Sequence, residues 1–168
     1  YQRQLYRFAP KSVDSCFFTA SGDMLFSRAG EMSSQEEAQQ FITDNDVTFA
    51  VAFGPVMVDN GQLAEFGSYP IGENNRTYSR TAIGQRDKLH YILMTINYED
   101  DYSVAATVSE AAEYIFSKGV VKAYALDGGQ TSTMVMNGHT VNRPDWGNQR
   151  TQSDIIYFAT ALPEEVNP

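Results

Sequence analysis

The sequence predicts an α+β fold: a β-rich mixed sheet covered by two main helices, with residues 1–168 forming a single domain. Three observations carry this. The length of 168 residues fits the roughly 100–200 residues of one domain. Hydrophobic residues at 42% against 20% charged supply a core and argue against global disorder. Two stretches join a capping box to an apolar stripe of helical period, and most of the remainder reads as short β-rich runs punctuated by glycine turns.

In chain order, residues 15–20 and Met24–Ser27 flank Ser21-Gly22-Asp23 as a hairpin. Ser33-Ser34-Gln35-Glu36 fits a capping box with Ser33 as N-cap, and Ala38, Phe41 and Ile42 then share one face of a helix running to about Asn45. Residues 47–53 and 56–58 are strands separated by Gly54-Pro55, and Asp59-Asn60-Gly61 is a turn. Residues 89–97 form a long β run, expected to be buried, that His90 opens as a satisfied structural histidine. Thr107-Val108-Ser109-Glu110 is the second capping box. Val108, Ala111, Ala112, Ile115 and Phe116 follow at i, i+3, i+4, i+7 and i+8, with Lys118 as last-turn cation and Gly119 as C-cap. Residues 120–126 are a short apolar strand. Residues 132–136 and 139–141 flank Asn137-Gly138, a type I′ hairpin signal, with His139 on the surface. Residues 142–149 read as an irregular loop and 154–160 as a final strand.

The formal charge is −9 and the pI about 4.6. That argues against nucleic acid as a partner, because counterion release needs a basic face, and against docking on anionic lipid. No run approaches the ~20 apolar residues of a membrane span. Cys16 is the single cysteine, so no intrachain disulfide forms, and one Cys with two His cannot build a Cys/His metal site. The chain begins at Tyr1 without Met or a charged-then-apolar leader, and a processed or truncated start is expected. Gly-Lys-Ser phosphate loops, Gly-x-Gly-x-x-Gly fingerprints, Gly-x-Ser-x-Gly elbows and His-Glu-x-x-His helices are all missing.

Three segments carry candidate chemistry. In the first, an apolar strand ends at Asp127, and Gly128, Gly129, Gln130, Thr131, Ser132 and Thr133 follow. Two glycines after a strand let backbone N–H groups approach a ligand, and Thr131 and Thr133 would share one strand face with Ser132 on the other. The plainer alternative is a tight turn that Asp127 caps. The second segment is polar and precedes the 89–97 strand. Residues 73–90 hold Arg76, Arg80, Arg86 and Lys88 against Glu73 and Asp87, a local positive excess suited to phosphate or carboxylate. The alternative is a solvated loop of paired arginines. The third runs from Asn142 through Arg143, Trp146 and Arg150 to Asp154, and its one tryptophan is either a sugar-stacking ring or a packing anchor. Asp127, Asp145 and Asp154 are oxygen ligands suited to Ca²⁺ or Mg²⁺, but their spacing demands no metal.

Four blocks then align, in order, with a known family. Asp127-Gly-Gly-Gln-Thr-Ser-Thr-Met134 followed by Asn137-Gly138 resembles its Leu-Asp-Gly-Gly-Gly-Ser-Ser-Thr-Met…Asn-Gly signature. Arg80-Thr-Ala-Ile-Gly84 resembles its Arg-Thr-Ala-Ile-Gly block, and Phe53-Gly-Pro-Val-Met-Val58 with Gly61 its Phe-Gly-Pro-x-Leu-Val-x-x-Gly block. Asn142-x-Pro144, Arg150 and Ser153-Asp154 resemble its C-terminal end. On these residues the chain resembles the phosphodiester glycosidases, bacterial domains similar to the mannose-6-phosphate uncovering enzyme, over residues 53 to about 158. The departures are Gln130 for the third glycine and Thr131 for the first serine.

The resemblance implies hydrolysis of a sugar-1-phosphodiester in a glycan, exopolysaccharide or cell-envelope substrate, outside the cytoplasm. For that reaction, chemistry points to Asp127, Arg80 and Arg150 as catalytic residues: the two arginines to hold the phosphoryl group, and Asp127 as general acid/base or to steady an oxocarbenium-like centre. Gly128, Gly129, Gln130, Thr131, Ser132, Thr133, Asn142 and Asp154 are then substrate-binding, with no required cofactor. The family carries an Asn-Gly-aromatic strand ahead of the region matching Tyr1–Phe26, so part of the site is expected to lie upstream. Two rivals follow: a carbohydrate-binding or assembly module without turnover, and a phosphoesterase cutting the other P–O bond.

Overall fold

The computed structural model describes residues 3–5, 8, 13–67, 69–70, 74–99 and 105–158. Strands β1 (Ser15–Thr19) and β2 (Met24–Ser27) form the expected hairpin. β1 pairs on its other side with β3 (Val47–Ala52), which helix α1 (Gln35–Asp44) precedes. β4 (Val56–Asp59) turns through Asn60-Gly61 into β5 (Gln62–Leu63). β6 (Arg80–Asp87) and β7 (His90–Ile96) make a long antiparallel hairpin, and helix α2 (Val108–Phe116) leads to β8 (Lys122–Leu126). β9 (Val135–Met136) and β10 (His139–Thr140) close a small hairpin.

The fold is β-rich α+β, but its β structure is not one mixed sheet. A three-stranded sheet β2-β1-β3 and a five-stranded sheet β5-β4-β8-β6-β7 face each other, and every strand pair described is antiparallel. The reason is that β8, last in sequence of the five strands in its sheet, inserts between β4 and β6 and runs opposite to both. Period-two alternation sorts the core. Cys16 and Phe18 of β1 meet Val56, Ile83 and Tyr124 between the sheets, whereas Phe17 points outward to Ile42 of α1. On the far face, α2 lays Val108, Ala111, Ala112 and Ile115 against Ala82 and Ala123. Each helix thus covers the outer face of one sheet.

The second capping box is as expected. Thr107 Oγ1 accepts from Glu110 N (3.2 Å) and Glu110 Oε2 accepts from Thr107 N (2.8 Å). The first is shifted by one residue: Ser34 is the N-cap and accepts from Glu37 N, while Glu37 Oε2 accepts from Ser33 N and Ser33 Oγ. The cause is a repeated spacing, because Ser33/Glu36 and Ser34/Glu37 are both three apart. Lys118 lies past the C-cap Ser117, with its ammonium over the Tyr114 ring.

Four other expectations change. The polar segment read over residues 74–84 enters a strand at Arg80, and Arg80–Asp87 form the eight-residue β6. The run 89–97 is an edge strand, half-exposed, and His90 is exposed, because no strand lies beyond β7 among the described residues. Residues 132–134 leave the ladder, so the hairpin strands are two residues each. Residues 154–158 have no ladder partner and are not a strand, and 159–160 lie outside the described residues.

Candidate active site

The site grows from the C-terminal end of β8. Leu126 pairs with Thr81 of β6, so Asp127 and Gly128 emerge beside Arg80 and Ser79. The backbones touch there: Gly129 N donates to Ser79 O at 2.8 Å. A Cβ at position 128 would stand 2.5 Å from Ser79 O, so a side chain at that position clashes with fixed backbone. Gly129 has φ +64°, which favours glycine, and starts the single 3₁₀ turn Gly129–Thr131. Asp145 fixes the other side of Ser79. Its carboxylate is 1% exposed and Oδ1 accepts from Ser79 N at 2.8 Å. Ser79 is therefore held by its N–H to one loop and by its carbonyl to the other.

Hydroxyls line this turn in three different states. Thr131 Oγ1 donates to Gly128 O at 2.7 Å, closing the turn. Ser132 is fully buried and donates to Arg80 O at 2.9 Å. Thr133 Oγ1 is buried with no partner, as are Thr81 Oγ1 and Asn74 Oδ1. The expected sharing of a strand face by Thr131 and Thr133 does not occur, because the chain coils here.

Asp127 and Arg150 form the charged centre. Arg150 Nη2 lies 2.8 Å from Asp127 Oδ2, with side chains 58% and 42% exposed. Arg150 N also donates to Gln130 O at 3.4 Å. Arg80 does not join them. It is 8% exposed, its Nε donates to Ala106 O (2.9 Å) and its Nη2 to Arg76 O (2.6 Å), with the guanidinium over the Tyr78 ring. Asn142 is a clamp: its Oδ1 accepts from Met134 N and its Nδ2 donates to Ser132 O, both at 2.7 Å. Asp154 is exposed and accepts from Ser153 Oγ. Gly129 N–H is taken by Ser79 and Thr131 N–H by Gly128 O, so the anion nest expected at Gly128-Gly129 keeps fewer donors than the sequence suggests. Among the described residues, no three acidic, His or Cys groups gather to hold a metal, and Asp127, Asp145 and Asp154 stay dispersed.

The loop from Pro144 to Arg150 bridges the two centres. Trp146 is 57% exposed at φ +56°, a left-handed conformation that costs about 1–2 kcal/mol for a residue with a side chain. Sequence reasoning missed Ser79 and Asp145 as builders of the floor. The Pro-Asp-x-Gly pattern at 144–147 was the available signal for a carboxylate turned inward at a tight turn.

A phosphodiester glycosidase family model matches residues 9–159. The chain belongs to the phosphodiester glycosidase family. It is 23% identical over 149 residues to the SPbeta prophage-derived uncharacterized protein YomE of Bacillus subtilis (strain 168), covering 87% of this chain and 23% of that protein. It superposes with a TM-score of 0.60 on the zebrafish N-acetylglucosamine-1-phosphodiester alpha-N-acetylglucosaminidase catalytic domain auto-inhibited by pro-peptide, at 18% identity over 78% of this chain and 44% of that one. A hypothetical protein from Synechocystis gives a TM-score of 0.54 at 14% identity, over 83% of this chain and 32% of that one. The chain thus spans less than half of each of these relatives. Among the described residues no helix is long and apolar enough to cross a membrane.

Proposed function

We propose that this site hydrolyses a sugar-1-phosphodiester and that the Asp127–Arg150 pair carries the reaction. The observation behind this reading is the pair itself: a half-exposed carboxylate and guanidinium 2.8 Å apart, on a glycine turn at a strand end, in a chain otherwise at −9. In this reading Arg150 exchanges Asp127 for the phosphodiester anion, which its planar fork matches. Water adds to the anomeric carbon, the C1–O bond breaks, and the phosphomonoester departs with the bonding electrons. The products are the free sugar and a phosphomonoester. A phosphate leaving group needs little protonation, so Asp127 serves best by taking the proton of water or by steadying the oxocarbenium-like centre. Ser132 and Asn142 hold the backbone after the glycine turn on which Asp127 stands, and Arg80 ties the segments at Arg76 and Ala106 to the start of the adjacent strand. We place the substrate in glycan, exopolysaccharide or cell-envelope material outside the cytoplasm, on the strength of the sequence resemblance.

Asp127→Asn keeps the shape of the side chain and removes its charge. The expected result is a loss of at least about 10³-fold in kcat/KM on a model sugar-1-phosphodiester, about 4 kcal/mol of transition-state stabilisation, with an unchanged melting temperature. Undiminished turnover in the folded variant sinks the assignment. Running the wild-type reaction in ¹⁸O-water puts the label in the sugar if C–O breaks and in the phosphate if P–O breaks. Parallel assays with chelator and with Mg²⁺ read any metal dependence. Sugar binding without turnover points instead to a carbohydrate-binding or assembly module.

A further inference from the structure

The loop that delivers Arg150 also presents an aromatic surface whose conformation the fold does not require. Asp145, one residue earlier, is buried and tied to Ser79, which holds Gly129, so the base of the loop is rigid against the glycine floor. Gly147 N donates to Pro144 O and Asn148 Nδ2 to Trp146 O, which closes the turn locally. From this fixed base the indole of Trp146 points out, 57% exposed. One side is buttressed by Tyr98, itself buried, with ring centroids 6.5 Å apart at 51°. Residue 146 has φ +56°, where glycine or asparagine would sit without strain. A bulky aromatic in strained backbone, on a rigid base and mostly in solvent, contributes little to packing, and strain of this kind concentrates at ligand-contacting positions.

We infer that Trp146 is the sugar platform of this site, taking the apolar face of a pyranose by stacking. The inference rests on the proposed phosphodiester substrate for its setting: Arg150, four residues on, takes the phosphoryl group, and the neutral ring takes the sugar. Division of labour between a cation and an aromatic face suits a ligand with one charged and one neutral half. It also explains how an acidic protein holds a sugar without adding charge.

The sequence contains one tryptophan, so intrinsic emission reports on Trp146 alone. The full chain is titrated with methyl α-glucopyranoside, with N-acetylglucosamine and with dimethyl phosphate. A saturable emission change with at least one of the sugars and none with dimethyl phosphate is expected. By calorimetry, Trp146→Ala weakens binding of that sugar about tenfold and Trp146→Tyr keeps it within about threefold. Trp146→Gly melts no lower than wild type, because glycine accepts the left-handed backbone. Flat emission with both sugars overturns the inference, as does a Trp146→Ala variant that binds sugar like wild type. A fall of several degrees in Trp146→Gly marks a packing anchor and also overturns it. A saturable emission change in a protein that turns over no phosphodiester removes the hydrolase reading and leaves the platform standing.

Discussion

Arg80 and Arg150 lie at the same end of the five-stranded sheet and are used in opposite ways. Arg80 opens β6, is buried, and donates to the carbonyls of Ala106 and Arg76. Arg150 sits on a loop, is half-exposed, and meets a carboxylate. The type of acceptor matters as much as burial. Backbone carbonyls far apart in sequence make Arg80 a fastener that ties the segment before α2 to the sheet. A single carboxylate makes Arg150 a partner that an anionic ligand can replace.

Swapping each residue for alanine tests that contrast. Arg80→Ala strands the carbonyl of buried Ala106, frees that of Arg76 and leaves a cavity, and hydrogen bonds from a charged donor contribute about 1.5–3 kcal/mol each. A loss of roughly 3–5 kcal/mol is expected, and at roughly 2–4 °C per kcal/mol for a chain of this size the melting temperature falls by about 6–20 °C. Arg150→Ala breaks an exposed pair worth about 0–1 kcal/mol and leaves the melting curve nearly in place. If the proposed hydrolase reading holds, its effect is expected in kcat/KM, which should fall about 10²-fold as the phosphoryl group loses its counter-charge. Calorimetry and kinetics on the two variants settle it. Equal melting temperatures would show that Arg80 is not a fastener.

The same contrast marks what the sequence could and could not reveal. Both helices were legible because their signals are local: Thr107 and Glu110 cap each other three residues apart, and the apolar stripe of α2 repeats at helical spacing. The strand β6 was not legible. Arg80, Gln85, Arg86 and Asp87 make it look polar, yet Gln85 is buried because its amide bonds Met24 N and Gly22 O, more than sixty residues away. Such partners leave no periodic trace. Asp127 and Gly128 were recognisable as a pair, since a carboxylate followed by glycines after a strand is a local pattern. Ser79 was not, because its importance comes from the close approach of the Gly128-Gly129 backbone, where Gly129 N donates to Ser79 O and a Cβ added at Gly128 would stand 2.5 Å from that oxygen. The residues around 154–158 failed for the opposite reason: their apolar β-rich composition is real, but no strand among the described residues offers a ladder.

Ser132 and Thr133 repeat the comparison at smaller scale. Ser132 donates to Arg80 O inside the protein, whereas the buried hydroxyl of Thr133 has no partner. Ser132→Ala removes a made bond and is expected to cost about 1 kcal/mol. Thr133→Val replaces an unsatisfied hydroxyl with a methyl of similar size, so stability stays level or rises by about 1 kcal/mol as the buried, unpaired hydroxyl is removed. Chemical denaturation separates the two. A Thr133→Val loss as large as that of Ser132→Ala would mean that the hydroxyl has a partner after all.

The smallest expected effect comes from the helix caps, where exposure limits what a charge contributes, as it does for Arg150. Backbone N–H groups of Ser33 and Thr107 hold the carboxyls of Glu37 and Glu110 below their ordinary value of 4.5. A folded-state pKa lowered in this way contributes stability at pH above the unfolded value, and that contribution is lost as pH falls through the folded one. The melting temperature should therefore decline slightly as pH drops below 4.5, and the Glu37→Gln/Glu110→Gln double variant should remove part of that slope. Glutamine still accepts through its amide oxygen but cannot titrate, so the variant isolates the charge from the hydrogen bond. Identical acid limbs for the two proteins would place the pH dependence elsewhere and leave the caps as neutral hydrogen-bonding devices.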